Sequence, residues 1–379
     1  MTLTDLFQKV TFLLGAGASK DAGCYLSGEM LDSLRDDIRS ELDDSSRRLE
    51  KHFCDIHDFV LASLSYQFTL RNPSTASQLP RNIEDFVAIL NQIIDKEYIV
   101  PYPLVGNWND KISRWETINA DIFKTFRDFI ERMLITKYLK HDKSRNEILL
   151  APIKDLICQT DESFEIDFFT LNYDLTFENY FNSSEESLLN DGFEGDKWTG
   201  SFEQKPQNLN YHKLHGSVNW YLDPIEETVK ARFNEPISKE PLIIFGSASK
   251  MLSFDPFLFM LSNFRQKLDR STLYVVIGYS FHDKYINNLL IQQLAMKPEK
   301  KLLVVDPFVE NNDAFASKLD QIQRMKSISD RINFIQISRA KIQTIAITAE
   351  AFYKTYFYDS ARKLSQTLET VLAEERPFE

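Results

Sequence analysis

Five short runs of bulky apolar residues, each bounded by turn-forming residues, constrain this chain more than any other feature. They are Val10–Leu14 (interrupted only by Thr11), Ile166–Leu171 (interrupted by Asp167 and Thr170), Leu242–Phe245, Leu273–Ile277 and Leu302–Val305. Runs of this length suit strands buried on both faces, as in a parallel sheet. Asp255–Leu268 and Tyr285–Met296 lie between the later runs and carry apolar residues at three- and four-residue spacings. The second half therefore reads β-α-β-α-β, the alternation of an α/β fold. A further strand is expected at Ile332–Ile337, followed by a long helical stretch from Lys341 to Leu372.

Residues 29 to 160 have a different pattern. Ile118, Ile122, Phe126, Phe129, Ile130, Met133 and Leu134 trace one helical face, and Ile83, Phe86, Ile89, Leu90 and Ile93 trace another, with Asn82 placed to cap it. Tyr98–Asn109, with Pro101, Pro103 and Gly106, is expected as a surface excursion, and Asn182–Gln207 as a long mobile loop. The expected organisation is a discontinuous α/β domain over 1–35 and 161–340, a helical insertion over 36–160 and a C-terminal helical segment over 341–379.

Composition narrows the class. With 43% hydrophobic and 26% charged residues in 379, the chain is globular and long enough to build a core without disulfide or metal staples. Acidic residues outnumber basic ones, 56 to 44, and no long Lys/Arg run occurs, which argues against direct nucleic-acid binding. Cys24, Cys54 and Cys158 are too scattered for a disulfide framework or a four-thiolate zinc site, a usage that fits a reducing cytoplasm. No signal peptide or run of 18 apolar residues is present, so a cytoplasmic location away from membranes is expected.

The chemistry-bearing residues cluster at strand ends. Gly15-Ala16-Gly17-Ala18-Ser19 follows the first run, where small residues let backbone approach a pyrophosphate, although Lys20 replaces the third glycine of G-x-G-x-x-G. A tight structural turn explains the same residues. Thr170-Leu171-Asn172-Tyr173-Asp174 puts an amide and a carboxylate at a carboxyl edge, suited to ribose hydroxyls and a water, or to an Asn/Asp turn capping the next helix. His215 before Gly216 reads as a general base beside a close-approach glycine. His212 and His215 also have metal-pair spacing, but no further ligands accompany them. Gly278 and Ser280 end another strand and suit phosphate or ribose, and Asp306 ends the next and suits an adenosine ribose.

Taken in order, Gly15–Ser19, Thr170–Asp174, Leu214-His215-Gly216 and Gly278-Tyr279-Ser280 resemble the sirtuin superfamily. The resemblance covers the strand ends of residues 10–35 and 165–310. It implies a Rossmann-like parallel sheet of sirtuin type with a large helical insertion and C-terminal helices, and NAD as substrate. The zinc module of deacylating sirtuins, with its two Cys pairs, has no counterpart here, so no zinc is expected.

The departures make the chain similar to sirtuin-like effectors of bacterial antiphage systems, which hydrolyse NAD to ADP-ribose and nicotinamide. Its size most resembles the subunit paired with a HerA-type ATPase, implying that ATPase as a partner and a homo-oligomer. In this reading Asn172 positions a water or the ribose hydroxyls, Asp174 orients that group or offsets developing positive charge, and His215 is the base. Gly15, Ala16, Gly17, Ser19, Thr170, Gly278, Ser280 and Asp306 hold the dinucleotide. Three other classes stay open: an NAD-dependent protein deacylase, a non-catalytic NAD or ADP-ribose sensor, and a nuclease subunit working inside an ATPase complex.

Overall fold

The computed structural model describes residues 2–44, 46–71, 82–95, 108–160, 164–182, 187–202, 209–232, 241–245, 254–297, 299–309, 311, 315, 341–357 and 361–373. The chain divides into two units, one of residues 1–24, 140–243 and 252–379, the other of residues 25–139 and 244–251. The division falls at 24 and 140, not at 35 and 160, and the C-terminal segment belongs to the first unit. Among the described residues the strands are β1 (Val10–Leu14), β2 (Ile166–Thr170), β3 (Leu189–Asn190), β4 (Phe193–Glu194), β5 (Lys197–Trp198) and β6 (Leu209–Lys213). They continue as β7 (Trp220–Asp223), β8 (Thr228–Ala231), β9 (Leu273–Ile277), β10 (Lys301–Val305) and β11 (Ile342–Ile345).

Seven of these form one sheet in the order β11-β10-β9-β1-β2-β6-β3, with every pair parallel. β4, β5, β8 and β7 make a small antiparallel sheet. The helices are α1 (Leu3–Gln8), α2 (Ser27–Ser40), α3 (Glu50–Arg71), α4 (Ile83–Asp95), α5 (Trp108–Ile118) and α6 (Ile122–Met133). After them come α7 (Lys143–Gln159), α8 (Thr176–Phe181), α9 (Phe257–Arg270), α10 (Lys284–Met296), α11 (Ala349–Tyr356) and α12 (Arg362–Ala373). No helix among the described residues is long and apolar enough to cross a membrane.

β1, β6, β9 and β10 are buried along their whole length, as strands covered on both faces must be. On one face Phe12, Phe168, Val275 and Leu303 join Leu150 and Ile153 of α7, Phe177 of α8, and Phe352 and Tyr353 of α11 in one core. Phe12 and Phe168 stack across the β1–β2 pair with ring centroids 4.8 Å apart. On the other face Phe169 packs on Phe264 of α9. Strand order reverses beside β1, because the chain first builds outward through β2 and β6 and later returns to add β9 on the opposite side. The β1–β9 border is thus a topological switch point, where open α/β sheets form their ligand crevice.

Several expectations need correction. Leu209–Lys213 was not foreseen as a strand, yet it is fully buried. Leu242–Phe245 forms no strand, and only Ile243 makes a single antiparallel bridge, to Gly216. The stretch expected to be helical from Lys341 begins with β11, parallel to β10, and the helices follow as two pieces. Ile332–Ile337 lies outside the described residues, as does 98–107 of the expected surface excursion, while 108–109 open α5. Asn182–Gln207 is not simply a loop, since it contains β3, β4 and β5.

In the second unit Phe53, Phe86 and Phe126 fill the space between α3, α4 and α6, and Asn82 caps α4 by accepting from the Glu84 N–H at 2.8 Å. Ile118 ends α5 at 51% exposure instead of joining the buried face of α6. Buried Asp37 accepts from Lys137 Nζ and from the Tyr138 hydroxyl, both at 2.5 Å.

Candidate functional site

The parallel register lines up the strand ends. Val305, Ile277, Leu14, Thr170 and Lys213 are paired in one row across β10, β9, β1, β2 and β6. The turns that follow this row carry Asp306, Gly278–Asp283, Gly15–Ser19, Asn172–Asp174 and His215, and the candidate Thr170 stands in the row itself. Each turn therefore opens on the carboxyl edge of the sheet.

At the switch point the β1 and β9 turns meet backbone to backbone. The Gly15 N–H donates to Ile277 O at 2.9 Å and the Gly17 N–H to Gly278 O at 2.8 Å. A Cβ on Gly17 would lie 2.7 Å from the Gly278 Cα, and one on Gly278, whose φ is +61°, 2.4 Å from the Ala18 nitrogen. The glycines are thus needed for the contact between the two turns, whatever else they approach. Ala16 is exposed on this loop, whereas Ser19 is buried beneath it.

Asn172 ties the next turn to that loop. Its backbone N–H donates to Thr170 Oγ1 at 3.0 Å, and its side-chain Nδ2 donates to Gly15 O at 2.9 Å and Ser19 Oγ at 3.0 Å. With both amide protons engaged, Oδ1 is the polar atom left for a ligand. Thr170 is fully buried, its Oγ1 serving the Asn172 backbone.

One carboxylate oxygen of Asp174 is engaged locally. Its Oδ1 accepts from the Thr176 N–H at 3.0 Å and hydroxyl at 2.7 Å, which is the helix-start turn that such residues favour. Its backbone carbonyl accepts from Lys213 Nζ, which also donates to Glu178 Oε1 at 2.7 Å. Lys213 and Glu178 are both buried, and burial raises the Glu178 carboxyl above its usual value against the lowering effect of Lys213. This pair locks the β6 end to the Asp174 turn and α8.

His215 follows β6. Its turn is anchored by Leu214 N–H donating to Thr170 O at 2.9 Å and Val218 N–H donating to Tyr173 O at 3.1 Å. Gly216, at φ +84°, has no room for a side chain, because a Cβ would stand 2.1 Å from Leu242 O. The Tyr173 ring lies roughly parallel to the imidazole with centroids 6.4 Å apart. His215 Nε2 is 3.0 Å from Asp283 Oδ2, and Asp283 Oδ1 caps α10 by accepting from the Tyr285 and Ile286 N–H groups. Burial raises the Asp283 carboxyl, but His215 and these two N–H donors outweigh it and hold the group below the usual range.

The remaining candidates are peripheral to this constellation. Ser280 is exposed, and half-buried Asp306 accepts from the Phe308 N–H at 2.8 Å in a turn of its own. His212 is sandwiched between Phe169 and Phe202 at 4.3 and 4.1 Å and lies 3.3 Å from Asp167, so the two histidines have separate partners. Among the described residues no group of three or more His, Cys, Asp or Glu is placed to hold a metal. Sequence reasoning passed over Asp283 and Lys213. For Asp283 a local signal existed: an aspartate directly before a helical run is a capping position.

Residues 167–328 match the SIR2-like domain, so this part of the chain is similar to sirtuins. The match begins in β2 and does not include the Gly15–Ser19 loop. Among solved structures, one described as the structural basis for the mechanism and regulation of Sir2 enzymes is 10% identical, with 96% of each chain covered and a TM-score of 0.36. Another, a Sir2–p53 peptide–NAD+ complex, is 13% identical over 93% of this chain and 94% of that one, with a TM-score of 0.34. A comparison with curated proteins gives no match. The fold itself is defined by the strand order and the parallel register.

Proposed function

We propose that this chain hydrolyses the N-glycosidic bond of NAD, giving nicotinamide and ADP-ribose, and that it acts in bacterial antiphage defence by depleting NAD. The observation that carries the reading is the placement of Asn172 and His215 just past the ends of the adjacent strands β2 and β6, with Asn172 bonded to the glycine turn at the switch point. The SIR2-like match over 167–328 supports the same substrate. The residues fit NAD in kind: Asn172 keeps an open carbonyl oxygen, His215 keeps Nδ1 without a protein partner among the described residues, and Ala16 and Ser280 are exposed on the flanking turns.

The chemistry resembles glycoside cleavage through an oxocarbenium-like ribose centre. The C–N bond breaks with its electron pair leaving on neutral nicotinamide, so no acid is required. Water adds to the ribose carbon, its oxygen or a ribose hydroxyl being held by Asn172, and its proton passes to His215. We take Asp174 as a positioning residue instead of a catalytic one, because its Oδ1 is committed to Thr176. Gly15, Gly17 and Gly278 keep the pyrophosphate side of the crevice narrow, and Asp306 marks the adenosine side. Homo-oligomer assembly and a HerA-type ATPase partner belong to the same proposal and rest on the family resemblance.

The test is release of nicotinamide and ADP-ribose from NAD by the purified chain, alone and with a HerA-type ATPase added, for the wild type and for His215→Ala. Loss of release in the variant supports the reading. Equal release from both, or none from the wild type in either setting, overturns it.

A further inference from the structure

We infer that Asp283 is a positioning residue that fixes the proton of His215 on Nε2 and so leaves Nδ1 as the atom that accepts a proton in the crevice. Its relevance to catalysis rests on the hydrolase reading above, but the pairing itself does not. The argument begins with α10. Asp283 Oδ1 accepts from the Tyr285 N–H at 2.7 Å and the Ile286 N–H at 3.1 Å, two of the donors that a helix start leaves without partners. This cap sets the side-chain torsion and directs the second oxygen. Oδ2 then stands 3.0 Å from His215 Nε2, a close ion-pair contact. A carboxylate can only accept, so a lone pair on Nε2 would face carboxylate lone pairs, and the contact favours the proton on Nε2.

The support around the pair is stiff. The Tyr279 hydroxyl donates to Asn287 Oδ1 at 2.8 Å and Asn287 Nδ2 donates to Phe281 O at 2.7 Å, which ties the Gly278–Asp283 turn to the first turns of α10. On the other side, the close approach of Gly216 to Leu242 fixes the His215 turn. When water attacks the ribose carbon, its proton goes to Nδ1 and the resulting imidazolium keeps its Nε2–H toward Asp283. The proton is later lost to solvent, so the cycle balances as NAD plus water giving nicotinamide, ADP-ribose and one proton.

Asp283→Asn separates this role from a merely structural one. The two backbone N–H groups need an acceptor, so the asparagine keeps Oδ1 on the helix and turns its NH₂ toward His215. Nε2 must then accept, and the proton moves to Nδ1, the logic by which amide replacement in a catalytic triad imposes the wrong tautomer. The experiment is nitrogen-15 and carbon-13 histidine NMR of the full chain, with His215 assigned by substitution, alongside NAD turnover for the wild type, Asp283→Asn and Asp283→Ser.

The expected result is an Nε2–H imidazole in the wild type and an Nδ1–H imidazole in Asp283→Asn. Turnover should fall about 100-fold or more, with the NAD concentration dependence unchanged. Asp283→Ser keeps the cap, lacks the partner, and should give a mixture of tautomers and intermediate turnover. An Nδ1–H imidazole in the wild type, or an Asp283→Asn chain with unchanged tautomer, overturns the inference. The predicted tautomers in a chain that releases no nicotinamide would uphold the pairing and overturn the hydrolase reading.

Discussion

The side-chain amide of Asn172 donates to the Gly15 carbonyl oxygen at 2.9 Å, so the end of β2 holds the glycine turn of its neighbour β1. One residue thus braces the glycine turn through its amide N–H groups and keeps its side-chain oxygen uncommitted among the described residues. Substituting it should cost both stability and activity, and the two costs can be separated.

Asn172→Ala leaves Gly15 O and Ser19 Oγ without their shared donor, which should destabilise the fold by about 1–3 kcal/mol. Asn172→Asp should be worse, because it aims an acceptor at the Gly15 carbonyl. Urea unfolding of the two variants checks the order. A more stable Asp variant would mean that the amide does not hold the turn.

Gly278 and Gly195 share a φ of +61°, but only Gly278 is packed against backbone, with nothing within 4 Å of a Cβ at Gly195. Gly195→Ala should cost about 1–2 kcal/mol from conformation alone. Gly278→Ala should cost clearly more, since Gly17 and Ala18 would have to move. Chemical denaturation of both variants measures the difference, and equal losses would deny the tight contact.

The Lys213–Glu178 pair is buried, so breaking one side strands a charge. Lys213→Met should cost about 3–5 kcal/mol, and the double variant Lys213→Met/Glu178→Leu should recover much of it. A double-mutant cycle on unfolding free energies reads the coupling. Failure of the double variant to recover stability would show that Lys213 matters mainly through the Asp174 carbonyl.

Acid should destabilise the sheet unit through Asp167. Burial raises its carboxyl, but His212 and Lys267, the latter at 2.6 Å, outweigh that and hold it well below the usual range. A carboxyl lowered in the folded state contributes stability that is full above the unfolded value of about 3.9 and is lost as pH falls toward the folded value. The gap in urea midpoint between wild type and Asp167→Asn should therefore be widest above that pH and narrow in stronger acid. A gap independent of pH would contradict the assignment.

Local pattern was enough for β1, β2, β9 and β10, whose Val, Ile, Leu and Phe runs declare strands buried on both faces. It was not enough for β6. Leu-Asn-Tyr-His-Lys reads as a polar stretch, and Asn210, His212 and Lys213 become tolerable inside only because Asp167 and Glu178 wait on neighbouring elements. β11 was missed for a related reason: the four residues Ile342–Ile345, with Gln343 and Thr344 between the two isoleucines, do not declare a strand until β10 supplies a partner for the backbone.

The amino-acid sequence by itself determined which turns lie at strand ends and which residue types they carry, because run length, Gly and Asn/Asp turn chemistry act over a few neighbouring residues. Tertiary structure alone decided what each side chain does there. Gly17 meets Gly278, Asn172 reaches Gly15, Asp174 turns into its own helix, and His215 finds Asp283. Those pairings depend on parallel register and strand order, which bring together groups distant in sequence whose hydrogen-bonding needs cannot be met locally.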